Sequence, residues 1–221
     1  LSESRSNGGG PYNVLKDLAA MKVEFPLAAC GLVGDDTNGQ WIKRDCQNHR
    51  IDVGMLHLSK DHPTSYTDAM TVQSTGRRTF FHCRGANAHF DLKHCGFGKT
   101  NARILHLGYL MLLDRMDTFE NGQTIAAKLL FNARSAGLET SVDMVSASHP
   151  QFREIALSAL PLTDHLVINE IEAGLVVGEV IDPKNSGWLI RTAEQLLSFG
   201  VKKTATIHTE HGSVCATAEG L

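Results

Sequence analysis

The sequence predicts an α/β protein built on a three-layer, doubly wound and mostly parallel sheet. From residue 103 onward, short apolar runs of strand length alternate with longer segments in which apolar residues recur at helical spacing. Alternation of this kind is typical of parallel strands connected by helices. At 221 residues the chain is long enough for one such domain with a sizeable core, so we expect a single domain over residues 1–221.

The residues before 103 predict a glycine turn followed by helices, strands and a β-hairpin. Three consecutive glycines at 8–10 can adopt backbone conformations that are costly for other residues, and Pro11 suits the first turn of the helix that follows. Asp36 or Thr37 can cap a second helix. The predicted elements are a helix over 14–21, a strand over 27–33, a helix over 37–50, a short strand after 51, and a hairpin over 65–73 and 77–83.

The residues after 103 predict the strand and helix alternation in detail. Gly137 and Gly200 follow two of the helical segments, as is common at the carboxyl ends of helices. The predicted elements are strands over 104–107, 138–142, 165–168 and 203–207, helices over 122–136, 151–160 and 187–199, a helical turn over 172–177, and a segment over 213–216 that can pair with the last strand.

Composition and charge exclude several classes of function. With 42% hydrophobic and 20% charged residues the chain has the balance of a soluble globular protein, and its net charge of −3 gives no basic footprint for nucleic acid. The longest apolar run, over 104–113, is too short to span a bilayer, and no secretory leader opens the chain. Five scattered cysteines indicate reduced thiols. We therefore expect a cytoplasmic protein without nucleic-acid or membrane partners.

Polar residues that follow a turn or a strand are the candidates for chemistry. Asn13 lies where the glycine turn meets the helix, and its amide can donate to and accept from a ligand hydroxyl; the alternative is an ordinary helix start after a flexible linker. Asn169 and Glu172 follow a strand and share one face of a helix start, where they can hold a hydrated Mg²⁺ or form a capping box. Asp143 follows another strand and can face a ligand or serve as a cap or loop residue.

The glycine turn also carries a resemblance to a known family. Gly8-Gly9-Gly10-Pro11-Tyr12-Asn13, with Gly31-Leu32-Val33-Gly34-Asp35-Asp36 behind it, resembles the first signature of the ribokinase-like (PfkB-type) carbohydrate kinases, and Leu15 departs from the small residue usual there. The resemblance implies the ribokinase-like fold and ATP-dependent transfer of a phosphoryl group to a hydroxyl of a sugar or nucleoside. It also implies that Gly8, Gly9 and Asn13 hold hydroxyls of the acceptor.

The resemblance extends to the hairpin and to the loop after it. In the family this hairpin is a small β lid, expected here over about residues 64–84, and family members often form homodimers through it. The loop Gly85-Ala86-Asn87-Ala88 matches a segment near the sugar, which implies that Gly85 and Asn87 border the substrate. Asp143 matches an aspartate near the phosphate acceptor, which implies a further substrate contact.

The nucleotide side of the resemblance lies in the last quarter of the chain. Asn169 and Glu172 match an Asn-x-x-Glu motif that the family links to Mg²⁺ and phosphate, so the implied cofactors are ATP and Mg²⁺. Residues 207–212 match a strand and a Gly-x-x-Gly turn beside the nucleotide, which implies nucleotide contacts from Asn169, His208 and Gly212. Thr209 stands where the family has the first glycine of that turn.

The family's second signature, a Gly-Ala-Gly-Asp segment that carries the catalytic base, does not occur within residues 1–221. In the family this segment follows the strand pair with which the chain ends. We therefore expect the base beyond Leu221, the opening strand before Leu1, and no activity from the chain alone. Two alternatives are a non-catalytic sugar- or nucleoside-binding protein of the same fold, and a metal-binding module built on the histidines and cysteines of residues 82–95.

Overall fold

The computed structural model describes residues 6–219, apart from the side chain of residue 99, and it divides the chain into two compact units. Residues 6–95 form the first unit together with Leu113–Arg115, and Gly96–Leu112 forms the second together with residues 116–219. The single domain expected over residues 1–221 stays a prediction. None of the helices formed by the described residues is long and apolar enough to cross a lipid bilayer.

The first unit combines two helices with two small sheets. Its elements are α1 (Gly10–Ala20), β1 (Ala28–Gly34), α2 (Thr37–Asn48), β2 (Asp52–Ser59), β3 (Tyr66–Thr71) and β4 (Arg78–Cys83), followed by 3₁₀ turns at Gly85–His89 and Leu92–His94. Strands β1 and β2 are parallel, with Cys30 opposite Met55 and Gly34 opposite Ser59. Strands β3 and β4 form the antiparallel hairpin that the sequence predicts.

A small apolar core joins the two helices to β1. Its buried members are Ala29, Cys46 and Ile51. Partly buried apolar side chains from both helices and their flanking strands pack on these three residues: Tyr12, Leu15, Ala19, Leu27, Ile42 and Val53. Leu15, which departs from the family pattern, therefore has a packing role in this chain.

The β3–β4 hairpin presents large apolar side chains to solvent. Tyr66, Met70, Val72, Phe80 and Phe81 are 52–60% exposed. Because successive side chains along a strand point to opposite faces, the neighbours Phe80 and Phe81 lie on opposite faces of the hairpin. The strand register places Tyr66, Met70 and Phe81 on one face, which is therefore apolar and open within the first unit. On the other face Phe80 lies among polar residues: Thr67, Thr71, Arg78 and His82. The use of the hairpin as a lid stays a prediction.

The rest of the chain forms a mostly parallel sheet with its helices. The elements are β5 (Ile104–Leu110), α3 (Asp114–Asp117), β6 (Phe119–Glu120), β7 (Gln123–Thr124), α4 (Ile125–Ser135), β8 (Glu139–Met144), α5 (Phe152–Ala159), β9 (His165–Asn169), α6 (Glu170–Val177), α7 (Ser186–Ser198), β10 (Thr204–Thr209) and β11 (Gly212–Thr217), with further 3₁₀ turns at Phe97–Lys99 and Leu160–Leu162. Five of the strands form one sheet in the order β11-β10-β9-β8-β5. All neighbouring pairs are parallel except β10 and β11, which confirms the predicted fold class.

Polar side chains cap the starts of α4 and α7 in the second unit. The Thr124 hydroxyl accepts a hydrogen bond from the N–H of Ala127 (3.1 Å) at the start of α4. The Asn185 side chain does the same for the N–H of Trp188 (3.0 Å) at the start of α7. Helix α4 then buries one continuous apolar face against the unit, made of Ile125, Ala126, Leu129, Leu130 and Ala133.

Two local differences from the sequence-based expectations have clear causes. The helix expected from residue 122 begins at Ile125, because β6 and β7 pair as a short antiparallel ribbon around Gly122, which has a φ of +80°. The segment expected as a loop at residues 85–88 forms a 3₁₀ turn over Gly85–His89. A single turn of helix is too short to produce an apolar periodicity.

Candidate functional site

The glycine turn before α1 leaves its backbone accessible. Gly9 is the residue that precedes α1, and its φ of 96° lies in a region that glycine adopts more readily than any other residue. A Cβ atom placed on Gly8 or Gly9 would meet no heavy atom within 4 Å in the described part of the chain. The turn therefore has open space beside its backbone, where a ligand can approach closely.

Asn13 stands directly above this turn, in the first turn of α1. Its N–H donates to the carbonyl oxygen of Gly9 (2.9 Å), which sets the helix against the turn. Its side chain is exposed, and a carboxamide offers two N–H donors and an acceptor oxygen. Turn and side chain together can bind neighbouring hydroxyl groups of a small ligand.

At the end of β1, Asp36 and Thr64 connect three segments of the first unit. The Asp36 carboxylate accepts hydrogen bonds from the N–H of Gly39 (2.8 Å) and from both the N–H and the hydroxyl of Thr64 (each 2.7 Å). The Thr64 hydroxyl accepts in turn from the N–H of Gly34 (3.0 Å). Burial alone would raise the pKa of Asp36, but the donors from Thr64 and Gly39 hold that pKa below its usual range. The end of β1, the start of α2 and the loop after β2 are thereby joined.

The turn at Gly85 packs against the same loop. Gly85 has a φ of +47°, and a Cβ atom placed there would lie 2.4 Å from the carbonyl oxygen of Pro63. That carbonyl accepts a hydrogen bond from the N–H of Ala86 (2.8 Å). Glycine is therefore required by the backbone at this position, and Asn87 follows with its side chain half-buried.

In the second unit, Asn169, Glu172 and Ser146 form a closed hydrogen-bond network at the carboxyl end of β9. The Glu172 N–H donates to Asn169 Oδ1 and Glu172 Oε2 accepts from the Asn169 N–H (both 2.9 Å), so the motif does form a capping box. Glu172 Oε1 accepts from Asn169 Nδ2 (2.9 Å) and from the Ser146 hydroxyl (2.8 Å). Glu172 is only 3% exposed, so its carboxylate is held in one orientation.

Two carboxyl groups at this edge of the sheet are shifted towards their neutral forms. Burial raises the pKa of Asp143 to about 7; the N–H of Met144 opposes the rise and the charge of Glu172 adds to it. Burial also raises the pKa of Glu172, although hydrogen bonds from Asn169 and Ser146 and the nearby His208 oppose this. A cation at this edge would favour the ionised form of both carboxyl groups.

The described side chains at this edge of the sheet do not form a set of ligands that could coordinate a metal ion directly. Within residues 6–219, apart from the side chain of residue 99, no three His, Cys, Asp or Glu side chains converge so as to hold a metal ion. That holds for the cluster at residues 82–95 as well as for the edge that carries Glu172. Mg²⁺ usually keeps several of its waters, so the two carboxyl groups and the Asn169 amide suit a hydrated ion rather than a bare one.

His208 reaches the same edge of the sheet from β10, where it pairs with Asn169 of β9. The turn that follows is closed by Thr209, whose hydroxyl accepts from the N–H of His211 (3.0 Å) and donates to the carbonyl oxygen of Gly212 (3.2 Å). Gly212 has a φ of +149°. Thr209, which replaces a family glycine, thus stabilises the turn through its hydroxyl group.

Comparison with known protein families shows to which family the chain is related. Its sequence matches the family model described as pfkB family carbohydrate kinase over residues 2–220. The chain belongs to the pfkB family of carbohydrate kinases. The resemblance that rests on residues 8–13 and 31–36 is therefore confirmed. No curated protein matches this pfkB-family chain by sequence.

Solved structures with the same fold include a fructokinase and an aminoimidazole riboside kinase. The apo form of a fructokinase from Vibrio cholerae O395 is 18% identical with a TM-score of 0.72, covering 95% of this chain and 69% of its own. The same enzyme with fructose, ADP and calcium ion is 16% identical with a TM-score of 0.70, covering 95% and 65%. An aminoimidazole riboside kinase from Salmonella enterica, with aminoimidazole riboside and an ATP analog, is 19% identical with a TM-score of 0.69, covering 96% and 66%. The pfkB-family chain thus spans about two thirds of the length of these structures.

The predicted site residues of this pfkB-family chain fall into two groups. Those of the first unit are Gly8, Gly9, Asn13, Gly85 and Asn87, and those at or beside the carboxyl-end edge of the second unit are Asp143, Asn169, Glu172, His208 and Gly212. Sequence reasoning missed Thr64 and Ser146. The Thr64 hydroxyl donates to Asp36, and the Ser146 hydroxyl donates to Glu172. Ser146 lies two residues beyond β8, so its position after a strand was the available signal.

The raised pKa of Asp143 leads to a prediction about stability and pH. Unfolded, the carboxyl group titrates near 4; folded, it titrates near 7. Between these values the folded chain binds the proton more tightly, so the contribution of Asp143 to stability falls as the pH rises from about 4 through about 7. Asp143→Asn removes this loss, and we expect the variant to gain about 1–2 kcal/mol relative to wild type over that range, since solvent screening of a half-buried group reduces the full shift.

Urea denaturation at several pH values in a Trp41→Phe background, followed by the fluorescence of Trp188, measures this difference. The exposed Asp182 provides the matched control, and Asp182→Asn should shift stability by a constant amount. A gap between wild type and Asp143→Asn that stays constant with pH would contradict the prediction.

Proposed function

We propose that this chain belongs to an enzyme that transfers the γ-phosphoryl group of ATP to a hydroxyl of a sugar or nucleoside. The observation that carries the proposal is the family match over residues 2–220. Structures of the same fold that are described with fructose or with aminoimidazole riboside support the two acceptor classes. Phosphoryl transfer depends mainly on positioning and on neutralising charge, and the two groups of residues suit these two tasks.

The residues proposed to bind the acceptor lie mainly in the first unit. Gly8 and Gly9 offer backbone that a sugar ring can approach closely, since no side chain intervenes and the space beside them is open. Asn13 supplies the amide that holds the acceptor hydroxyls in register. Gly85, whose positive φ and close approach to Pro63 need a residue without a side chain, sets the position of Asn87, which borders the sugar. Asp143, which belongs to the second unit, has a pKa that burial raises to about 7 and is therefore about half protonated at pH 7, so it can donate as well as accept a hydrogen bond with a substrate hydroxyl.

The residues proposed to bind the nucleotide and Mg²⁺ lie in the second unit. Mg²⁺ would be held here by Asn169 and Glu172 through its waters, and when bound it neutralises charge on the phosphates. Glu172 is held by four hydrogen bonds, counting its own N–H, so its carboxylate does not have to reorganise when the ion arrives. His208 and the turn at Gly212 border the nucleotide.

The general base is expected in a Gly-Ala-Gly-Asp segment, which residues 1–221 do not contain. Activity is therefore to be measured on protein expressed from the complete gene.

The β3–β4 hairpin would exclude water as a lid. We propose that a second copy of the chain covers the exposed apolar side chains of this hairpin. Sedimentation velocity tests this homodimer, and a monomer would contradict it.

All five cysteines are free thiols, which supports a cytoplasmic location that cell fractionation can test.

Two substitutions test the assigned roles in an assay of ADP release with fructose, ribose or aminoimidazole riboside as the acceptor. Asn13→Ala should raise the KM for the acceptor about 5- to 10-fold, because hydrogen bonds to a neutral hydroxyl are lost. Glu172→Gln should lower kcat about tenfold or more and raise the Mg²⁺ concentration needed for half-maximal rate, because a charge that orders the hydrated ion is removed.

Matched controls separate these effects from a general loss of folding. Asn132→Ala replaces an exposed asparagine on α4, and Glu154→Gln replaces an exposed glutamate in the first turn of α5; neither should change KM or kcat. Wild-type rates in both test variants would overturn the assigned roles. Sugar binding in calorimetry without ADP release from the complete protein would instead favour a non-catalytic binding protein.

A further inference from the structure

Two cysteines that are far apart in the sequence meet inside the first unit. The Sγ atoms of Cys30 and Cys95 lie 3.0 Å apart, and the two residues are separated by 65 positions. Both are free thiols with partly exposed side chains. A disulfide bond is about 2.05 Å long, so the sulfur atoms are about 1 Å from bonding distance.

The backbone on both sides holds the two thiols in this position. Cys30 lies within β1, opposite Met55 of β2. The N–H of Cys95 donates to the carbonyl oxygen of Leu92 (3.0 Å), which closes the 3₁₀ turn before it. The carbonyl oxygen of His94 accepts from His57 Nε2 (3.0 Å) and lies 3.6 Å from the Cys30 thiol. Their proximity therefore follows from strand pairing and turn geometry, since each thiol is fixed by its own element.

The turn that carries Cys95 is itself anchored. The Asp91 carboxylate pairs with Arg115 (3.0 Å) and accepts from the N–H of Leu92 (2.7 Å). The His94 ring accepts from the N–H of Asp91 (2.9 Å), which completes a capping box around the turn. Cys95 thus approaches Cys30 from a rigid segment, and little conformational entropy opposes formation of a bond between them.

We propose that Cys30 and Cys95 are a redox modification site, at which a hydroperoxide such as hydrogen peroxide forms a reversible intramolecular disulfide. The Cys30 thiolate attacks one peroxide oxygen, the O–O bond breaks, and sulfenic acid and water form once the released hydroxide takes up the thiol proton. The Cys95 thiol then attacks the sulfenic sulfur; the S–S bond forms, the S–O bond breaks, and a second water leaves. Two thiols and one peroxide give one disulfide and two waters.

The surroundings of Cys30 and Cys95 favour reaction between them, and those of Cys46 do not favour its oxidation. The hydrogen bond with Cys95 lowers the pKa of the Cys30 thiol, although burial opposes this, while the same bond and burial raise the pKa of Cys95. Cys30 is therefore the thiol suited to attack. Cys46 is buried, and burial together with Asp45 raises its pKa, so it is protected from oxidation.

The disulfide would have a measurable effect on the first unit. It would tie β1 to the residue after which the chain leaves this unit, and it would close a loop of about 65 residues. A long closed loop restricts the unfolded chain strongly. We therefore expect the melting temperature of the oxidised protein to be higher than that of the reduced protein by about 5 °C or more.

Peptide mapping after titration with hydrogen peroxide tests the proposal directly. Trypsin places each cysteine on its own peptide, because Lys and Arg residues separate all five. We expect the peptide over residues 23–43 to be linked to the peptide over 94–99, with a loss of two hydrogen atoms from the intact chain. Dithiothreitol should release the two peptides and return the melting temperature to its reduced value.

Three variants make the outcome decisive. Cys30→Ser and Cys95→Ser should each abolish the linked peptide and the thermal shift, while Cys215→Ser, which removes an exposed thiol, should preserve both. Melting of each variant under reducing conditions shows whether the variant is folded. Differential alkylation of the wild-type protein before and after oxidation identifies the oxidised cysteines without any substitution. Oxidation that stops at sulfinic acid, or a link between another pair of cysteines, would overturn the proposal.

Discussion

Asp164→Ala is expected to lower the free energy of unfolding of the second unit by about 2–4 kcal/mol, because it leaves a buried N–H unpaired and removes the partner of a half-buried guanidinium. Asp164 is 4% exposed and forms an ion pair with Arg134. Its carboxylate also accepts from the N–H (2.9 Å) and the hydroxyl (3.1 Å) of Thr140. These contacts connect α4 and the start of β8 to the residue immediately before β9, so alanine would leave a buried N–H and a guanidinium without their acceptor.

The electrostatics of Asp164 give the same prediction a pH dependence. Burial alone would raise the pKa of this carboxyl, but Arg134 and the two donors of Thr140 hold it below its usual range. A carboxyl whose pKa is depressed by folding contributes stability above its unfolded pKa, near 4, and loses that contribution as the pH falls through the folded value. The difference between wild type and Asp164→Asn should therefore be greatest near neutral pH and shrink in acid.

Two tryptophans allow this loss to be measured in the correct unit. Trp188 lies in α7 of the second unit and Trp41 lies in α2 of the first, so urea denaturation of Asp164→Ala in a Trp41→Phe background reports the second unit. Asp182→Ala, at an exposed position, is the matched control and should cost less than about 0.5 kcal/mol. A loss below about 1 kcal/mol for Asp164→Ala would show that the ion pair does not support the sheet.

The regular elements could be predicted because their apolar patterns are strong. The run over residues 165–168 forms β9, and the helical spacing over 125–133 lies within α4, although that helix begins three residues later than expected. The segment between residues 84 and 100 was harder, because it consists of single 3₁₀ turns held by local contacts such as the Asp91 capping box. One turn contains no repeat from which a period can be read.

The candidate site was predictable where its chemistry is local in the sequence. Asn169 and Glu172 are three residues apart, and their reciprocal hydrogen bonds follow from that spacing. Ser146 and Thr64 reach their partners from 26 and 28 positions away, and a hydroxyl group in a loop has no periodic signature. The close approach of Cys30 to Cys95 was not predictable for the same reason, since it depends on how a 3₁₀ turn packs against β1.

Asp36→Ala is expected to lower the free energy of unfolding of the first unit by about 2–4 kcal/mol. The substitution removes the cap of α2, which is typically worth about 0.5–2 kcal/mol, and two further charge-assisted hydrogen bonds from Thr64. Two neighbouring glycines leave the junction no way to repack, because a Cβ atom on Gly34 would lie 2.4 Å from the Thr64 nitrogen and one on Gly39 would lie 1.9 Å from the Gly34 oxygen.

Asp35 provides the control for Asp36, since it is the adjacent residue of the same type and is exposed. Its carboxylate accepts only from the Gln40 side chain (2.9 Å) among the contacts of the described residues, so Asp35→Ala should cost less than about 0.5 kcal/mol. In a Trp188→Phe background, Trp41 fluorescence then reports both variants. Combining Asp36→Ala with Thr64→Val in a double-mutant cycle should give a coupling energy of about 1–2 kcal/mol. Additive losses would mean that the cap of α2, and not its bond to the loop after β2, is what Asp36 contributes.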